Sequence, residues 1–183
     1  MREMFMRNRP AVLAAVMMTL ATYAHAGAPA QQAPHLGQPM SADDVAKWDL
    51  TIFPDGRGLP DGHGTAATGR AVYDKHCATC HGEGGRGGTA EELVSEPQPL
   101  TDAAASKAIG PYWPYATTVF DFIRRSMPPA APGTLSAGDI YAVTAYLLAA
   151  NKLIGETDEI SAATLPKVKM PNRDGFTPID AKQ

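Results

Sequence analysis

Apolar residues recur through the middle of the chain at helical spacing, and almost nowhere do they alternate with polar ones as a strand requires. A first helix is predicted over about 65–76. Gly69, Val72 and Tyr73 share one face of it, and Thr65 stands at the N-cap. A second, short helix is predicted over about 102–108, stopping at Gly110. A third covers about 115–125, with Val119, Phe120, Phe122 and Ile123 as its apolar positions. A fourth covers about 137–151. Ser136 and Asp139 form its S-x-x-D start, and Ile140, Val143, Tyr146, Leu147 and Ala150 its buried stripe. A glycine at 69 lets another helix approach closely. The first and fourth helices are therefore expected to cross, with Gly69 and Tyr73 against Tyr146 and Leu147. The fold class is all-α, about four helices with extended arms.

The two ends read differently. Arg2, Arg7 and Arg9 precede a short uncharged apolar run at 11–21, and Ala24-His25-Ala26 follows. That is the plan of a secretory signal peptide over 1–26. The apolar run is too short to span a bilayer, and no later segment is long and apolar enough. Residues 27–64 are rich in Pro and Gly, with Trp48, Leu50, Ile52 and Phe53 as anchors that would pack this extension on the domain. The domain itself is expected over 65–151. A mostly polar extension follows over 152–183, and removing 154–183 is expected to leave the site intact. Without the signal's three Arg and Glu3, 13 basic residues face 18 acidic ones. Such a mildly acidic protein is not a nucleic-acid binder by charge.

The chain has two cysteines, in Cys77-Ala-Thr-Cys80-His81. Each thiol at this spacing can add to one vinyl group of a haem, and the adjacent imidazole can then reach the iron. Cys-x-x-Cys-His is the attachment pattern for covalent haem c. A zinc site would need a fourth ligand, a thioredoxin-like pair a βαβ setting, and a plain disulfide would leave His81 unexplained. The remaining histidines need no role. His25 leaves with the signal, His35 and His63 lie in Pro/Gly-rich stretches, and His76 is expected to face solvent at a helix end.

An iron that only passes electrons commonly takes His and Met as its axial pair. Beyond residue 26 the methionines are Met40, Met127 and Met170. Met127 follows the third helix and precedes two prolines that stiffen the backbone past the sulfur, so it is the expected distal ligand. Met170 is its rival, placed in what reads as an extended tail; Met40 ranks last. Trp113, Tyr115 and Arg125 are candidates to reach the haem propionates. Lys167, Lys169 and Arg173 form a candidate docking patch. The expected chemistry is electron transfer, with no catalysis by this chain. A haem enzyme with an open sixth position and a free electron shuttle are the alternatives.

Over 65–151 these motifs resemble a class I cytochrome c. A narrower resemblance covers more of the chain: Trp48-Asp-Leu-Thr-Ile-Phe-Pro, Tyr112-Trp-Pro-Tyr, Arg125-Ser-Met127-Pro and Leu165-Pro-Lys-Val-Lys-Met-Pro are similar to segments of cytochrome subunits of the Sox-type sulfane dehydrogenase. That resemblance implies a periplasmic protein that takes electrons from a molybdenum-cofactor subunit oxidising sulfur compounds. It would pass them to a downstream cytochrome or oxidase. It also implies His81 and Met127 as the axial pair. Some members carry a second haem domain; this sequence contains one Cys-x-x-Cys-His.

Overall fold

The computed structural model describes residues 37–101 and 105–177. The signal peptide expected over 1–26 and residues 102–104 lie outside them. The chain divides into Met1–Ser41 and a compact unit over Ala42–Gln183, and the second unit holds every element below.

Among the described residues there are six α-helices and one small sheet. They are α1 (Ala42–Trp48), β1 (His63–Thr65), α2 (Ala66–His76), α3 (Ala78–His81), α4 (Ile109–Tyr112), α5 (Ala116–Ser126), α6 (Ala137–Ala150) and β2 (Glu159–Ser161). The all-α expectation holds.

The two best-marked helix starts form as their residues dictate. Thr65 Oγ1 accepts from the Thr68 amide, and Thr68 Oγ1 accepts from the Thr65 amide in return, closing a capping box. Ser136 Oγ accepts from the Asp139 amide at 3.1 Å. α2 and α6 pack together as predicted: the Tyr73 and Tyr146 rings meet at a tilt of 40°, with centroids 5.1 Å apart. A Cβ on Gly69 would stand 1.8 Å from the Ala142 carbonyl oxygen and 2.9 Å from Tyr146 Cβ. The closest approach therefore falls on Ala142, one turn before the expected Tyr146.

Three features depart from expectation. The short helix predicted over 102–108 is displaced. Residues 105–108 are not helical, and α4 begins at Ile109 and runs through Gly110. Pro111 is tolerated there because a first helical turn has no use for its missing N–H, and the Gly110 N–H is taken by Asn151 Oδ1 at 3.2 Å. Second, β1 and β2 pair antiparallel, with Gly64 opposite Ile160, so the segments before and after the helices are joined. Third, the C-terminal segment is not a polar arm. Ile160, Leu165 and Met170 are buried in the core, Leu165 completely.

The N-terminal segment packs only in part. Ile52 and Leu59 lie against the core, and Tyr141 Oη donates to the Pro60 carbonyl at 2.9 Å. Trp48 is 78% exposed, and Phe53 instead carries the Arg57 guanidinium over its ring at 4.1 Å.

Candidate haem site

α2 ends at His76, and Cys77 serves as its C-cap and as the N-cap of α3. The Cys80 and His81 amides both donate to the Cys77 carbonyl, at 3.1 and 3.0 Å. One helical turn thus gathers both sulfurs and the imidazole at i, i+3 and i+4. Gly82 then reverses the chain with φ of 79°, and a Cβ there would meet the Arg86 carbonyl oxygen at 1.8 Å. Tyr73 Oη donates to the Gly82 carbonyl at 2.8 Å and ties the turn back to α2.

His81 Nδ1 lies 2.8 Å from the Glu91 carbonyl oxygen. A carbonyl can only accept, so Nδ1 is the donor, which makes Nε2 the lone-pair nitrogen of the neutral ring. This is the backbone partner that a ligand histidine needs, and nothing in the sequence singles out residue 91.

The turn opens on a cavity of about 470 Å³, within the range of a small-molecule or cofactor site. Cys77, Cys80 and His81 line it, together with Met127 from the end of α5. Its apolar wall includes Leu93, Ile109, Val119, Ile123, Val143 and Leu147. Met127 is the C-cap of α5, with its amide bonded to the Ile123 carbonyl at 3.1 Å.

The rival methionines are elsewhere. Met170 is 4% exposed within the core and does not line the cavity, and Met40 is exposed. The cavity also takes in His76, which is half-buried rather than solvent-facing.

Trp113 lines the cavity, edge-on to Phe122 with centroids 5.7 Å apart. Its indole N–H donates to the Lys107 carbonyl at 3.3 Å. Tyr115 and Arg125 are not in the lining. The Tyr115 ring lies under Arg173, and Arg125 pairs with Asp121 at 2.8 Å. Lys167, Lys169 and Arg173 are all exposed.

The donor set suits covalent haem. Burial, with Cys80 adding to it, pushes the Cys77 thiol up to about 11. Cys77 is thus a neutral thiol in this cavity, and the sulfur of a thioether is neutral as well. Among the described residues no three His, Cys, Asp or Glu side chains converge as metal ligands. No helix among them is long and apolar enough to cross a membrane.

Residues 64–147 match the family described as cytochrome c oxidase, cbb3-type, subunit III. No curated protein matches the chain in sequence. The fold is similar to a chain in the crystal structure of the sulfane dehydrogenase SoxCD from Paracoccus pantotrophus, with a TM-score of 0.75 and 38% identity. That likeness covers 81% of this chain and 73% of the other. The chain belongs to the class I c-type cytochromes, electron-transfer proteins with covalently bound haem c, in the family of the Sox-type sulfane dehydrogenase cytochrome subunit.

Proposed function

We propose that this chain is a periplasmic mono-haem cytochrome, the electron-accepting subunit of a molybdenum-dependent dehydrogenase of sulfur compounds. One observation carries the reading: Met127 shares a single apolar cavity with the Cys77–Cys80–His81 turn. Both axial positions can then be closed by protein. The likeness to SoxCD supports the partner, because it extends well beyond residues 64–147.

Haem c, when bound, supplies a one-electron ferric/ferrous couple. Cys77 and Cys80 would hold it through thioether links to its two vinyl groups, each S–H adding across a C=C bond with no oxidant needed. His81 would hold the iron through Nε2, its ring fixed by the Glu91 carbonyl. Met127 would hold it through its thioether, which favours the reduced form. Trp113 and the aliphatic wall exclude water. With His81 and Met127 both holding the iron, no position would be left on it for a substrate.

The first test is the absorption spectrum of the matured protein, oxidised and reduced, with and without carbon monoxide. Low-spin spectra in both states, a ferric iron–thioether band lost in Met127→Ala, and no carbon monoxide shift are expected. Prompt carbon monoxide binding by the parent protein would move the haem-enzyme reading ahead. Co-purification from the native host tests the partner. Molybdenum in the complex, with reduction of the cytochrome by a sulfur substrate, is the expected result. Recovery of the cytochrome alone would favour a free shuttle.

A further inference from the structure

Asn151, the C-cap of α6, is 7% exposed, and its side-chain amide has every hydrogen-bonding position filled. Nδ2 donates to the Leu93 carbonyl at 3.0 Å and the Leu147 carbonyl at 2.8 Å. Oδ1 accepts from the Ser95 amide at 3.3 Å and the Gly110 amide at 3.2 Å. Two donors and two acceptors leave one orientation of the group.

Its partners belong to three segments that wall the cavity. Leu93, Ile109 and Leu147 all line it, and Asn151 bonds Leu93, Leu147 and Gly110, the neighbour of Ile109. A Cβ on Gly110 would stand 2.7 Å from Asn151 Oδ1, so the glycine makes room for the amide.

The segment so gripped carries the carbonyl that holds His81. Residues 90–95 are fixed at one end by the Ala90 amide on the Cys80 carbonyl at 2.8 Å. At the other end the Leu93 amide bonds the Gly85 carbonyl at 2.9 Å. Glu91 lies between, and Asn151 is the side chain that anchors the far end. We propose that Asn151 is a positioning residue for His81: it holds the 90–95 segment so that the Glu91 carbonyl keeps its bond to Nδ1. The inference rests on the proposed role of His81 as an axial ligand.

A hydrogen bond to Nδ1 makes the imidazole a stronger electron donor and favours the oxidised metal. Loosening the segment should therefore raise the potential. The test compares midpoint potentials of the matured parent, Asn151→Ala and Gly110→Ala, all without change of charge. Exchange of the His81 Nδ1 proton is followed by NMR in the reduced state. Asn151→Ala should increase the ferrous-to-ferric ratio at fixed solution potential by about tenfold, ~59 mV for a one-electron couple, with faster proton exchange. Gly110→Ala displaces the amide without removing it and should shift both readouts less, in the same direction. Leu165→Ala, which opens the core away from the cavity, controls for lost stability and should move neither.

Unchanged potential and exchange in Asn151→Ala would overturn the proposal. So would failure of both Asn151→Ala and Gly110→Ala to accumulate, which would assign the amide to folding alone. A parent protein without the His/Met spectrum would instead overturn the ligand assignment.

Discussion

At position 69 one hydrogen atom sets the distance between α2 and α6. Replacing Gly by Ala inside a helix ordinarily adds about 1 kcal/mol of stability through propensity. Here the added methyl would enter the Ala142 carbonyl at 1.8 Å, and overpacking of this kind costs about 1–3 kcal/mol. The second effect is the larger, so Gly69→Ala should lower stability by up to about 2 kcal/mol, measured by denaturant unfolding of the haem-loaded protein. Such a glycine is legible in a sequence because it shares a helical face with Val72 and Tyr73. The Cys-x-x-Cys-His turn is legible for a similar reason, since its chemistry and spacing belong to side chains. The Glu91 carbonyl is not, because every residue has one and only the folded chain selects which meets His81. Asn151 is readable as a helix end, but three of its four partners come from two distant segments, at Leu93 and Ser95 and at Gly110.

The elements divide the same way. α2, α5 and α6 lie within a residue or two of their predicted ends, because caps and apolar stripes are local signals. α4 was misplaced because its start is secured from outside, by Asn151 on Gly110. β1 and β2 are three residues each, too short to show alternation, and each is half of a pair whose other half is remote in sequence. Their pairing, with Ile160, Leu165 and Met170 in the core, changes what truncation should do. Deleting 154–183 takes away three buried apolar side chains, and each such loss costs about 2–5 kcal/mol. Together these losses are as large as a typical domain stability of about 5–15 kcal/mol. The truncated protein should fail to accumulate as a folded haem protein, judged by yield and far-UV circular dichroism. A normal yield and melting profile would show that the segment is a dispensable arm.

The whole molecule carries an alkaline limit set by buried phenols. Tyr141 is fully buried, and burial, with Asp61 adding to it, pushes its pKa up to about 12. In the unfolded chain a tyrosine titrates near 10. Above that pH the unfolded state releases a proton that the folded state retains. The contribution is therefore complete below about pH 10 and is lost as pH rises through about 12. Stability from denaturant titrations should fall across this window, and Tyr141→Phe should flatten the fall. The join between β1 and β2 also has a consequence in time. A chain is synthesised from its N-terminus, so Cys77, Cys80 and His81 appear well before Ile160, Leu165 and Met170. Until that segment arrives, β1 has no partner strand and the core lacks its last apolar layer.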